Sequence, residues 1–274
     1  MSDIIKEANT SEYSVEVQDL THRYETHLAV DHISFKIKRG TAFGLIGPNG
    51  AGKSTTIKML TTLLPVKAGD ALVNGFSITE NPAGVRQSIG YVPQLLSADG
   101  ELTGYENLLL SAKLYGLPRD ERSQRIQEVL DFLELSENGH RLVRSYSGGM
   151  IRRLEIAQAL LHKPAVLFLD EPSVGLDPAA RKSLWRHINS LSEQMGTTIF
   201  MTTHDMEEAD FLCDIVALMH LGHIVVMDTP EKLKAAIGPK ATLDDVFILH
   251  TGSSLKDTGD FGNVKETRST ISNL

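Results

Sequence analysis

The sequence predicts an α/β fold, a sheet covered by helices. Three observations lead there: strands such as AVLFL that alternate with helices are apolar throughout instead of in period two, helical stretches separate them, and one apolar run ends in a glycine-rich loop that opens a helix. Residues 14–24 (SVEVQDLTHRY) and 30–37 (VDHISFKI) read as strands, the second closed by a Lys38-Arg39-Gly40 turn. AFGLIG at 42–47 is an apolar strand leading into the loop, and KSTTIKMLTTLL at 53–64 is the helix behind it. Short strands follow at 70–73 and 89–92. From about 95 to 146 the texture changes, because GYENLLLSAKLYG and RSQRIQEVLDFLEL carry helical spacing without intervening strands. This stretch is read as a helical lobe inserted into the sheet domain. The alternation resumes with a helix at 148–161, a strand at 165–169, a helix at 178–195 and a strand at 197–202. Residues 215–249 add two short strands around Gly222-His223 and helices at 230–237 and 243–249. One domain is therefore expected at 14–237, between an N-terminal extension at 1–13 and a C-terminal helical extension at 238–251. The polar residues 252–274, rich in Ser, Thr, Gly and Asn, are expected to form a disordered tail.

A chain of 274 residues can bury a large core. Its 27 Lys and Arg against 35 Asp and Glu leave a net charge of −8, poorly suited to gripping a nucleic-acid backbone over a long surface. A lone cysteine, Cys213, excludes an internal disulfide or a thiolate cluster and fits a reducing compartment. Its neighbours Phe211, Leu212, Ile215 and Val216 predict that it packs in the core. The N-terminal residues hold no apolar run of signal-peptide length, and Val166–Leu169 typifies the longest apolar runs, far short of a membrane span. The chain is expected not to cross a bilayer itself, although it could dock onto a protein that does.

Gly47-Pro48-Asn49-Gly50-Ala51-Gly52-Lys53-Ser54-Thr55 satisfies G-x-x-x-x-G-K-[ST] between a strand and a helix. In that setting backbone N–H groups and the helix N-terminus cradle a β-phosphate, Lys53 reaches the β and γ oxygens, and Ser54 offers its hydroxyl to Mg²⁺. The ligand expected is a nucleoside triphosphate. The strand Val166–Leu169 ends in Asp170 and Glu171, at the carboxyl edge where ligands of open α/β sheets bind. Asp170 is expected to hold Mg²⁺ from outside its direct ligands, through a ligand of the ion, leaving Glu171 free to polarise a water against the γ-phosphate.

Further motifs stand in register with these: Gln94 in GYVPQ, Ser147-Gly148-Gly149-Met150 in RSYSGGMIRRLEIAQAL, Ser173-Val174-Gly175-Leu176-Asp177, His204 in TTHDMEEAD and Tyr24 in LTHRYE. By their order and spacing, residues 14–250 resemble the nucleotide-binding subunit of an ATP-binding cassette (ABC) transporter. The resemblance implies a P-loop NTPase cassette with a RecA-like sheet lobe, an antiparallel β subdomain and an inserted helical lobe. It implies ATP and Mg²⁺ as cofactors, with Tyr24 stacking on adenine, Gln94 joining Mg²⁺ or the attacking water, and His204 donating to the γ-phosphate. Ser147 reads as a helix cap, and Gly148-Gly149 leave the first backbone donors uncovered, an anion half-site without a lysine. In the family two cassettes dimerise head to tail, so this half-site would close on the triphosphate held by Lys53 of a second copy, with Asp177 at the seam. Met150 stands where many members have Gln, and His220-Leu221-Gly222-His223 replaces a more basic turn.

The YSGGM form and Leu243-Asp244-Asp245-Val246-Phe247 resemble the drug- and polysaccharide-export branch, the ABC-2 type. That likeness implies an integral membrane permease as partner, two cassettes with two permease subunits, and a peripheral position at the cytoplasmic face of the inner membrane. Two other readings are open on the sequence: an importer cassette, since the catalytic motifs are shared, and a soluble ABC ATPase acting on ribosomes or nucleic acid.

Overall fold

The computed structural model describes residues 11–252. β1 (Tyr13–Tyr24) pairs antiparallel with β2 (His27–Lys38) on one side and β4 (Ala68–Val73) on the other, and β5 (Phe76–Ser77) extends the edge in the order β2-β1-β4-β5. The second sheet runs β10-β9-β3-β8-β7-β6. Its β3 (Ala42–Ile46), β6 (Ile89–Val92), β7 (Val166–Asp170), β8 (Thr198–Thr203) and β9 (Ile215–His220) are parallel, and β10 (His223–Asp228) closes one edge antiparallel.

β3, β7 and β8, inside this sheet, are buried at every position, which is why β3 and β7 read as unbroken apolar runs, whereas the edge strand β10 alternates exposed and half-buried residues. On β3, Phe43 and Leu45 join the core shared with the antiparallel sheet, while Ala42 and Ile46 join the core under the helices. Aromatic rings tie the first core together: Phe43 stacks on Phe35 at 5.3 Å and meets Phe200 at 5.2 Å, and Phe168 meets Phe200 at 5.3 Å. Each buried ring contributes roughly 1.5–3 kcal/mol, so the two sheets are held together chiefly by side chains that a slip of one residue would turn away. Cys213 is buried as expected, so close under β3 that a side chain at Gly44 would strike its sulfur.

The helices are α1 (Lys53–Leu60), α2 (Pro82–Ser88), α3 (Gly104–Leu114), α4 (Arg122–Phe132), α5 (Gly148–Leu160), α6 (Pro178–Met195), α7 (Met206–Leu212), α8 (Pro230–Ala235) and α9 (Leu243–Thr251). α3 and α4 form the inserted helical lobe between β6 and α5, and Leu108, Ala112, Ile126, Val129 and Leu130 fuse its interior with that of α5. Thr103 and Glu106 start α3 with a reciprocal capping box. α1 ends at Leu60, earlier than its apolar pattern predicts, because Thr61 bonds back to the Ile57 carbonyl and Thr62 turns to φ 61°. β5, α2 and α7 are short elements that the sequence pattern does not predict. α9 buries Leu243, Val246 and Phe247, with His220 tilted over the Phe247 ring. The expected extension at 1–13 lies outside the described residues for 1–10, as does the expected tail for 253–274.

Candidate active site

The loop between β3 and α1 needs glycine at its two ends. Gly47 has φ 156° and Gly52 φ 110°, and a Cβ there would lie 2.1 Å from the Met219 carbonyl and 2.3 Å from that of Ala29. Between them Pro48, Asn49, Gly50 and Ala51 carry the chain around the end of α1. No side chain caps that helix, so its first N–H groups, at Lys53, Ser54 and Thr55, face the loop. Lys53 is buried, and its Nζ donates to the carbonyls of Gly47 at 2.7 Å and Pro48 at 3.0 Å. Burial holds its ammonium below the usual lysine range, against the opposing pull of Glu171.

At the end of β7, Asp170 accepts from Thr202 Oγ1 at 2.6 Å and from Ser54 Oγ at 3.2 Å. Glu171 adopts the left-handed region, φ 48°, a costly conformation for a non-glycine residue and one that recurs at functional sites. Its N–H is held by the carbonyl and hydroxyl of Thr202, both at 3.1 Å. The turn brings three side chains onto its carboxylate: Lys53 Nζ at 3.6 Å, His204 Nδ1 at 3.3 Å and Gln94 Nε2 at 3.2 Å. Burial pushes the Glu171 carboxyl up, but His204 and Lys53 outweigh it and leave it below the usual carboxylate range. The hydrogen bond to Glu171 raises His204 above the ordinary histidine range.

These shifts have opposite pH signatures. The raised His204 contributes stability in full below the ordinary histidine pKa of about 6.5, and that contribution is lost as pH rises through its folded value. The depressed Glu171 contributes above the ordinary carboxylate range and loses its contribution as pH falls through its folded value. Without nucleotide, His204→Ala therefore lowers the melting temperature more at about pH 6 than at about pH 8.5. Thermal melts of both proteins across that range check this; a difference independent of pH would contradict the ion-paired geometry.

A cleft of about 380 Å³ opens beside these groups, lined by Tyr24, Asn49, Lys53, Thr55, Gln94 and Glu171 among others. Tyr24 is partly exposed at its rim, braced edge-on by His22. Ser147 lies elsewhere, capping α5 by accepting from the Met150 N–H at 3.3 Å. Gly148 and Gly149 follow it, and a side chain at Gly149 would press to 2.9 Å from Ala180 Cβ at the start of α6. Ser147, Gly148 and Gly149 do not line the cleft of their own chain. Asp177 caps α6 by accepting from the N–H groups of Ala179 and Ala180, and Arg181 one turn on pairs with Asp205 beside His204.

Several structural partners carry no sequence signal of their own. Thr202 holds both acids yet reads as an ordinary strand threonine. Glu208 is fully buried, accepts from Trp185 Nε1 at 2.9 Å, and also bonds Thr203 and Ser173, joining the turns before His204 and after Glu171. Burial pushes its carboxyl above the usual range despite those bonds.

A sequence model of the family described as "ABC transporter" matches residues 30–174. The chain is 40% identical to the linearmycin resistance ATP-binding protein LnrL of Bacillus subtilis over 224 residues, 82% of this chain and 72% of that one. It is 42% identical to the doxorubicin resistance ATP-binding protein DrrA of Mycobacterium tuberculosis over 230 residues, 84% and 67% of the two chains. Among solved structures, an ATP-binding subunit of an ABC transporter superposes with a TM-score of 0.76 at 32% identity, covering 86% of this chain and 99% of the other. Its architecture is that of the sheets and helical insertion described above.

Proposed function

The chain belongs to the ABC transporter family of ATP-binding and ATP-hydrolysing subunits, and from that premise we propose that two copies close head to tail around ATP to power a membrane exporter. The observation that carries this reading is the convergence of Lys53, Gln94 and His204 on Glu171, one side chain beyond the phosphate loop. Each element has a task there. The loop N–H groups hold the β-phosphate, Lys53 turns from the Gly47 and Pro48 carbonyls to the β and γ oxygens, and the Tyr24 ring supports adenine at the cleft rim.

Ser54 Oγ and Asp170 Oδ1, 3.2 Å apart beside the loop, are the hard oxygen donors that suit Mg²⁺, and Gln94, bonded to the neighbouring Glu171 at 3.2 Å, would join them when the ion is bound. When bound, the ion neutralises charge developing on the transferred phosphoryl. Glu171, kept ionised by its cationic neighbours, accepts the proton of the attacking water, and His204 donates toward the γ-phosphate as Gln94 orients that water.

The N-terminus of α5 supplies what a second copy's triphosphate lacks on its open side. In Ser147→Arg the bulk and charge stand in that seam while Lys53 and its loop are untouched. ATP affinity of the single chain is expected to stay within about twofold, whereas turnover falls about 10²-fold and loses its cooperative dependence on ATP. Ser147 also caps α5, so a loss of about 1 kcal/mol in stability accompanies the change and is read separately by melting. Normal cooperativity in Ser147→Arg would rule out the two-chain site.

The resistance functions in the names of LnrL and DrrA support an exporter of the ABC-2 kind. Among the described residues no helix is long and apolar enough to cross a membrane, and an integral permease, two subunits to two cassettes, supplies the spans in this reading. Exposed Leu95 and Leu96 after Gln94, with Leu110 and Leu114 on α3, are the apolar surface offered to its cytoplasmic helices. The cassette thus works as a peripheral subunit at the inner face of the membrane.

A further inference from the structure

The segment that follows β6 carries Gln94 into the active site and, immediately after it, the exposed Leu95 and Leu96. Its two ends are tied to one buried ion pair on α5. Arg152, fully buried, donates from Nη1 to the Pro93 carbonyl and from Nη2 to the Gln94 carbonyl, both at 2.7 Å. Its partner Glu155, 3.0 Å away and equally buried, accepts from the N–H and hydroxyl of Ser97. Asn107 on α3 then holds Asp99 through both its N–H and its carbonyl at 3.0 Å. The loop is thus clamped before and after the two leucines by neighbouring groups of a single helix, five and eight residues beyond Ser147 in sequence.

Two buried charges are an expensive way to hold a loop. A well-packed apolar pair of similar volume stabilises a fold as well or better, while a guanidinium fork fixes two carbonyls in one geometry. We propose that the Arg152–Glu155 pair is a strut, a set of positioning residues that make the Gln94–Ser97 loop and the Ser147 end of α5 move as one body. Displacement of Leu95 and Leu96 by a partner then reaches Gln94 in the same chain and Ser147 at the second copy's ATP together. The proposal rests on the head-to-tail reading given under Proposed function.

The test uses the full chain carrying Arg152→Met with Glu155→Leu, beside Arg152→Lys and Ser147→Arg. In the apolar double variant ATP affinity is expected to stay within about twofold, because Lys53 and the phosphate loop at 47–55 are untouched, and the melting temperature to fall only modestly, because the buried volume is kept while the Pro93 and Gln94 carbonyls and the Ser97 N–H lose their partners. Turnover is expected to fall about tenfold or more with KM unchanged, and hydrogen exchange at the Ser97 amide to accelerate about tenfold or more. Arg152→Lys keeps the charge beside Glu155 but cannot serve two carbonyls as a planar fork, and is expected to show the same loss of turnover in a smaller degree. Should the double variant fail to fold, Arg152→Lys decides alone. Wild-type turnover in whichever of these variants folds overturns the strut. If Ser147→Arg is inactive while they are fully active, only the strut fails; if Ser147→Arg is also fully active, the head-to-tail reading itself fails.

Discussion

Replacing Glu171 by glutamine lowers ATP turnover by about 10²-fold or more while ATP still binds, because the change removes the proton acceptor and little else. Lys53 keeps the Gly47 and Pro48 carbonyls as partners, and the N–H of residue 171 still donates to Thr202. The amide matches the carboxylate in shape, so the strained turn at φ 48° persists. What disappears is the negative charge shared by Lys53 and His204, and His204 then titrates lower than in the wild type. Single-turnover phosphate release separates chemistry from binding; wild-type rates in Glu171→Gln would refute the assignment of Glu171 as base.

Lys53→Ala acts at the earlier step. Its ammonium is the one cationic side chain inside the loop that a triphosphate would meet, and a charge-assisted contact of that kind is about twice as strong as a neutral one. ATP affinity is expected to fall about 100-fold, about 2.8 kcal/mol. AMP, lacking the β and γ phosphates, should bind the two proteins alike. The substitution also strips Glu171 of a buried partner 3.6 Å away, so turnover falls further than affinity. Calorimetric titration of both nucleotides checks the contrast; equal ATP affinity in wild type and Lys53→Ala would remove the phosphate-loop reading.

The loop at 47–55 and the acids at 170–171 are legible in the sequence because their geometry is local: glycines where no Cβ fits, and carboxylates where an apolar strand must end. The sheet order is only partly legible, since apolar runs show that β3, β7 and β8 are covered on both faces but not which lies beside which. What brings Gln94 and His204 to Glu171 is long-range, through β6 and β8 flanking β7 in the sheet. Their motifs name them, yet the contact itself belongs to the fold. Arg152 and Glu155 are the most misleading residues, spaced like a solvent-exposed i,i+3 pair on a helix and in fact sealed against the Gln94 loop. Thr202 and Glu208 show the same limit, their roles set by neighbours far away in sequence.

Sedimentation velocity of Glu171→Gln with and without Mg²⁺ and ATP asks directly whether hydrolysis belongs to a site shared by two chains. ATP should convert the protein from a one-chain to a two-chain species, and adding Ser147→Arg to the same protein should abolish the conversion while ATP remains bound. A one-chain species at saturating ATP, with nucleotide sedimenting alongside it, would contradict the head-to-tail site and leave Ser147 as no more than the cap of α5.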